Sequence, residues 1–354
     1  MGKTLDQDRV LEFQERVMID SGAAFAGLCT SIGVRLGLYE AMAGAGPLTS
    51  QDLAARTRLD ERYVREWLAS QVAGQYVLYE PGTDTYLLTD EHAAVLADPG
   101  AATYSAGAFT MLQSLYASED ALVDAYRTGE GVGWQEHGPA LYEGVATFFR
   151  PGYAAALVSE WLPALDGVVA GLERGMSVAD VGCGFGHSTL LMARAFPNSR
   201  FHGFDFHLPS IERARRAAEE QGLAERVTFE VAAAGDFPGG DYGLITYFDC
   251  LHDLGDPGAA FRRAARALAV GGACLVVEPN AAAAPQDNIN PIGRSFTATS
   301  ATLCLPGAVA QKGPYALGNH AGEDVLRTIA HEAGLRSWKL AAEGPASRVY
   351  DVRR

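Results

Sequence analysis

The chain has 354 residues, 48% hydrophobic and 20% charged, with a formal net charge of −15. That length suits two domains with sizeable cores, and so negative a surface repels phosphate backbones and anionic membranes, which argues against a general nucleic-acid partner. Five scattered cysteines (Cys29, Cys183, Cys250, Cys274, Cys304) give neither a zinc ribbon nor a disulfide framework and fit buried thiols in a reducing cytosol.

The first segment, MGKTLDQDRVLEFQERV, is charged throughout and has no secretory apolar region. Asp6 follows Gly2 where a myristoylation site wants Ser or Thr. We find no run of 18 apolar residues, so the expectation is a cytoplasmic protein without a membrane span. Next, Ile32, Val34, Leu36, Leu38 and Met42 mark SIGVRLGLYEAMA as helical. Thr49 or Ser50 can cap a helix from Gln51 to Arg56. Asp60 can cap another, with Tyr63, Val64, Trp67, Leu68 and Val72 as its inward stripe. QYVLYE and TYLLTD then flank Pro81-Gly82-Thr83-Asp84 as a hairpin. Helix, turn, helix and hairpin is the order of a winged helix, and we place that domain at 1–100. Residues 101–165 read as a helical, aromatic-rich linker that contributes to a substrate pocket.

From Met176 short apolar runs alternate with helices: SVADVG, STLLMARAF, RFHGFDF, SIERARRAAEEQG, VTFEVA, LITYFDC, then a helix GAAFRRAARALAVGG and a strand ACLVVEP. Such alternation predicts a parallel α/β sheet. The rhythm breaks after Pro279 and returns with EDVLRTIAHEAG and two strands, SWKLAA and SRVYDVRR. The second domain is therefore placed at 166–354, with a lid insertion at about 280–322.

The chemistry concentrates in DVGCGFG. Gly182, Gly184 and Gly186 let a strand turn into a helix whose free N–H groups face a ligand. Asp205, at the end of the next strand, can accept from ribose hydroxyls. A nicotinamide fingerprint wants G-x-G-x-x-G, but here His187 holds the third position and the glycine falls one earlier. Asp180 would repel a pyrophosphate; it suits a ligand with an ammonium group and no phosphate, such as S-adenosylmethionine.

DVGCGFG, FDFH and FDCLHDLGDP…ALAVGGACLVVEP resemble the class I S-adenosylmethionine-dependent methyltransferases. The front half resembles the bacterial two-domain subgroup with an O-methyltransferase-like N-terminal dimerisation domain. The resemblance implies a Rossmann-like α/β fold with a seven-stranded sheet closed by an antiparallel hairpin, a mainly helical winged-helix domain, a lid insertion and a homodimer. It implies S-adenosylmethionine held by Asp180 (through water), Gly182, Gly184 and Gly186 at the methionine end. Asp205 would take the ribose, Phe206, Asp236 and Phe237 the adenine region, and Phe248, Asp249 and Tyr153 the remaining cofactor contacts. Ala233 stands where an acid is expected.

His252 lies on the rim that follows the fourth strand, in YFDCLHDLGDP, with Asp253 beside it. Imidazole can take a proton from a hydroxyl during methyl transfer, and the histidine of a similar motif is the base in related O-methyltransferases. Glu278 would orient His252 or a substrate hydroxyl. Phe149, Arg150, Arg294 and His320 are candidate substrate contacts. We expect a small-molecule acceptor, no membrane or nucleic-acid partner and no resident metal. Two other readings stay open: a divalent ion on His252, Glu278 and His320 that assists carbon methylation of a 2-oxo acid, and a winged-helix regulator that binds the cofactor.

Overall fold

The computed structural model describes residues 5–354. The described residues fall into two compact units, 5–113 with Glu143–Pro151, and Ser114–Tyr142 with Gly152–Arg354. In the first unit a long helix, Gln7–Arg35, is capped by Asp6. Short helices Leu38–Met42, Ser50–Thr57 and Glu61–Ala73 follow, then strands β1 (Leu78–Glu80) and β2 (Thr85–Leu87). Thr49 and Asp52 form a reciprocal capping box, and Asp60 caps the next helix through the Tyr63 N–H. Leu48 makes an isolated antiparallel bridge to Tyr86 beside the hairpin. Leu38, Tyr39, Leu53, Trp67 and Leu68 build the core.

Two details depart from the expected pattern. Tyr63 is 80% exposed, while Gln71 is buried and accepts the Tyr39 hydroxyl at 2.5 Å. The buried stripe of Glu61–Ala73 is thus Val64, Trp67, Leu68 and Gln71, rotated toward the face on which Trp67 donates to the Cys29 carbonyl. Gln7–Arg35 also departs from expectation. Over one 18-residue window its mean hydropathy is 1.5, with 17% of that window buried, so by length and composition it could cross a membrane. Asp20 interrupts the apolar run, which is why an unbroken-run criterion passes over it.

The second unit holds one seven-stranded sheet: β3 (Ser177–Val181), β4 (Arg200–Asp205), β5 (Val227–Val231), β6 (Tyr242–Phe248), β7 (Leu268–Pro279), β8 (Ser337–Glu343) and β9 (Ser347–Arg353). Their spatial order is β5-β4-β3-β6-β7-β9-β8. The first five pair in parallel, and β9 runs antiparallel to both β7 and β8. The order reverses beside β3, where a crevice opens at the strands' carboxyl ends.

Alternate residues feed two cores, one on each face. Val178, Leu244, Leu275 and Val277 belong to one; Ala179, Val181, Ile245 and Tyr247 belong to the other. Each fully buried Leu or Phe stabilises the fold by about 2 kcal/mol. The helix before β7 ends at Ala267, earlier than its sequence suggests, and Leu268 already pairs with Tyr242. Gly271 at φ +77 and a register shift between Tyr242 and Leu244 let LAVGG join the strand. The expected lid segment is largely helical: a 3₁₀ turn Pro285–Asn288, helix Pro291–Thr299, π turn Ser300–Cys304 and helix Leu305–Ala310.

Candidate active site

Asp180 ends up fully buried next to its register partner Thr246. Its Oδ1 accepts the Thr246 hydroxyl at 2.9 Å, and its Oδ2 accepts those of Ser188 (2.7 Å) and Thr189 (2.6 Å). Burial pushes this carboxyl up, and the three hydroxyls pull it back. Asp180 therefore ties β3 to the first turn of helix His187–Ala195 and braces the glycine loop from beneath.

Within the loop the glycines do different jobs. Gly184 has φ +51, and a Cβ there would meet nothing within 4 Å, so its backbone borders open space that a ligand can occupy. Gly186 has φ +76, and a Cβ would stand 2.5 Å from Phe229 Cζ. Its close approach to Phe229 comes from helix-on-sheet packing. Gly182 has φ +76, with Cys250 Sγ at 2.9 Å from a Cβ built there.

Asp205 accepts the Gly184 N–H and the His207 N–H, each at 2.9 Å. Burial raises its carboxyl, and the N–H groups of His207, Gly184 and Phe206 oppose the rise. Phe206 is 48% exposed, a free aromatic face beyond the strand end. Asp236 is exposed. The Phe237 ring packs in the core: it is 1% exposed, stacks on Phe204 at 5.3 Å, and carries the Arg263 guanidinium at 4.5 Å. Phe248 is likewise packed, 5.3 Å from Tyr153 and 6.3 Å from Trp161. The π-helical turn Tyr153–Trp161 brings those two rings in, and the Tyr153 hydroxyl, raised by burial, feels both Asp249 and Asp180.

Asp249 follows β6 in the left-handed region at φ +50, an uncommon conformation for a side-chain-bearing residue. Its N–H donates to the Val277 carbonyl at 2.8 Å. Burial, with Glu278 close by, pushes its carboxyl up to about 8.

His252 is 4% exposed, in a 3₁₀ turn that spans Leu251–Asp253. A carboxylate only accepts, so the contact between Nδ1 and Glu278 Oε2 at 2.5 Å fixes the proton on Nδ1. The other Glu278 oxygen accepts the Leu251 N–H at 3.1 Å, so one side chain of β7 holds both ring and turn. On the far side, Nε2 stands 3.2 Å from Asp253 Oδ1. Burial works against a charged ring, but Asp253 and Glu278 outweigh it and hold the imidazole well above its ordinary value. Two residues that the sequence does not single out as site candidates complete this corner. Cys304 is within hydrogen-bonding reach of His252 and Asp253. Gln311 accepts the Gly255 N–H at 3.0 Å and donates to the Asp253 carbonyl at 2.7 Å.

The alternative trio of His252, Glu278 and His320 does not form a metal-ligating group among the described residues. Glu278 occupies the opposite ring nitrogen, and His320 Nδ1 is buried without a hydrogen-bond partner. Its neighbours Asn319 and Ala321, with His252 and Glu278, line a small, partly open pocket. Among the described residues, the donors that meet are those of His252, Asp253 and Cys304. Arg294 is exposed. Phe149 and Arg150 lie in the first unit, where Phe149 packs edge-on to Phe148 and Arg150 donates to the Pro99 carbonyl.

A glycine loop and two acidic strand ends lie around the switch point of the β5-β4-β3-β6-β7-β9-β8 sheet, and comparison with known proteins identifies the domains. Residues 172–334 match a methyltransferase domain family, and residues 24–98 match the Rv2258c-like winged HTH domain. The chain carries a methyltransferase domain. The chain is 29% identical over 127 residues to a probable chloroplastic tocopherol O-methyltransferase of Oryza sativa subsp. japonica, covering 33% of this chain and 35% of the other. It is 28% identical over 135 residues to the 27-O-demethylrifamycin SV methyltransferase of Amycolatopsis mediterranei (strain S699), covering 36% and 49%. The matches thus span between a third and a half of those relatives' lengths. A crystal structure of human N-acetylserotonin methyltransferase in complex with S-adenosylmethionine superimposes with a TM-score of 0.72 at 19% identity, covering 100% of this chain and 99% of the other. At that identity the likeness concerns the fold.

Proposed function

We propose that the chain methylates a hydroxyl of a small, secondary-metabolite-type molecule, with S-adenosylmethionine as donor and His252 as general base. The observation that carries this reading is the Glu278–His252 pair beside the braced glycine loop: an imidazole with one nitrogen locked and the other at the carboxyl edge of the sheet. The acceptor reading draws on the two curated relatives, one named as an O-methyltransferase and the other for an O-demethylated rifamycin.

The residues suit this donor. Open space borders the Gly184 backbone, Asp205 can accept from ribose hydroxyls, and Phe206 offers an exposed ring to the adenine. The carboxyls of Asp249 and Asp205, both raised by burial, would ionise more readily beside a cation. When bound, S-adenosylmethionine supplies an electrophilic methyl group on a sulfonium.

The chain's own work is positioning and proton removal. Glu278 holds the ring and fixes its tautomer. Asp249 and His252 both give up protons more readily once a cation stands beside them, which leaves Nε2 able to take the acceptor's proton. Asp180 keeps the loop in shape through Ser188, Thr189 and Thr246. The exposed apolar face of Gln7–Arg35, with Leu11, Phe13, Met18, Phe25 and Leu28, supports a homodimer through the N-terminal domain. The two arginines of helix Glu61–Ala73 pair with Glu66 and Glu61 of the same helix, which removes the phosphate footprint a DNA reader needs.

The test is a panel of phenols and other hydroxylated metabolites assayed for demethylated cofactor. Turnover that is lost in His252→Ala while cofactor still binds is the expected result. Turnover of equal size in His252→Ala contradicts the base.

A further inference from the structure

Cys304 is the one donor in this corner that methyl transfer leaves unused. It closes the π turn Ser300–Cys304, and such turns recur at functional sites. A nitrogen of His252, a carboxylate oxygen of Asp253 and Sγ of Cys304 all lie within 4.8 Å of one another. The histidine and the cysteine are 4% and 5% exposed. Asp253 Oδ1 is shielded from solvent and makes no hydrogen bond of good geometry, although Nε2 is 3.2 Å away. The His252 ring and the Cys304 thiol are the groups that face this oxygen, and a cation held by all three would take the place of their protons as its partner.

The remaining geometry is that of a metal ligand set. Nδ1 of His252 is held by Glu278, the carboxylate–imidazole support that metal-binding histidines commonly have. That leaves Nε2 pointing toward the other two donors. Imidazole, thiolate and carboxylate together favour zinc-type ions over magnesium or calcium. Metal–donor bonds of about 2.0–2.3 Å put tetrahedral donors roughly 3.3–3.8 Å apart, so the three need only a small inward movement. Three protein donors also leave a fourth position open.

We propose that His252 Nε2, Asp253 and Cys304 Sγ bind one zinc-type divalent cation, and that the ion acts as a brake by occupying the nitrogen that would take the acceptor's proton. On binding, the Cys304 S–H bond is replaced by a sulfur–metal bond and its proton leaves to solvent. The braking effect rests on His252 as base; the binding site does not.

The test uses the reduced, chelator-treated full chain without cofactor or acceptor, titrated with Co²⁺ as a spectroscopic stand-in for Zn²⁺. The expected result is one ion per chain with a thiolate-to-cobalt charge-transfer band, displaced by Zn²⁺ and absent in Cys304→Ser. Glu278→Gln should weaken Zn²⁺ binding about 10–100-fold, as loss of a supporting carboxylate does. No saturable cobalt binding, or a band that survives Cys304→Ser, overturns the proposal. Should Cys304→Ser fail to fold by circular dichroism, Asp253→Asn takes its place: a loss of at least about tenfold in Zn²⁺ affinity supports the site, and an unchanged affinity overturns it. Because no methyl transfer is read, failure of the methyltransferase reading and failure of the metal site remain separate results.

Discussion

His252 is gripped by a carboxylate on each side, Glu278 at 2.5 Å and Asp253 at 3.2 Å, so removal of the ring takes away both a base and the counter-charge of two acids. We expect His252→Ala to lower kcat by about 10²–10⁴, the usual worth of a positioned base, with cofactor affinity retained in a calorimetric titration. Asp249 has a different signature. Its folded carboxyl titrates at about 8 against an ordinary 3.8, so between those values the folded chain holds a proton that the unfolded chain has lost. Stability from this group therefore falls as pH rises through that window. Asp249→Asn should raise the melting temperature of the cofactor-free protein, more at about pH 8 than at about pH 5, and weaken the binding of a sulfonium cofactor. A gain that does not grow with pH would contradict the assignment.

The βα turn from Asp180 to Thr189 shows why some elements can be read from sequence and others cannot. Its three glycines, its preceding acid and its following hydroxyls are neighbours in the chain, so their joint purpose is legible locally. Thr49 and Asp60 are legible as caps for the same reason. Cys304 and Gln311 reach His252 and Asp253 only through the tertiary path of the helical insertion, and no spacing rule announces them. Phe237 reads as a site residue because it follows a strand, but its packing against Phe204 and Arg263 is not legible locally. The long strand β7 was masked by the helical composition of RRAARALAV until Gly271 and Gly272 made the bend. Two substitutions separate shape from function in the glycine turn. Gly186→Ala combines left-handed strain with a Cβ 2.5 Å from Phe229 Cζ, and should cost more than about 2 kcal/mol in urea unfolding. Gly184→Ala meets open space, so it should cost only about 1–2 kcal/mol of strain and act chiefly on cofactor affinity.

Two features govern the molecule as a whole. The first is the apolar, solvent-facing stretch of Gln7–Arg35, where Phe25 is 78% exposed and Leu28 60%. Contiguous apolar surface of that kind marks an interaction site. Sedimentation should report a dimer that dissociates in the double variant Phe25→Asp, Leu28→Asp; a wild-type monomer would remove the N-terminal dimer from the account. The second is the clustering of acidic groups at the carboxyl edge of the sheet, Asp205, Asp249, Asp253 and Glu278, in a chain already at −15. That edge is built to receive positive charge, and the account stands on the identity of the ligand that brings it. The measurement that tests this most directly is calorimetric titration of the purified chain with S-adenosylmethionine. The account predicts one saturable site per chain, weakened at least about tenfold in Asp205→Ala through loss of charged hydrogen bonds to the ribose. Absence of saturable binding, or binding indifferent to Asp205, would contradict it.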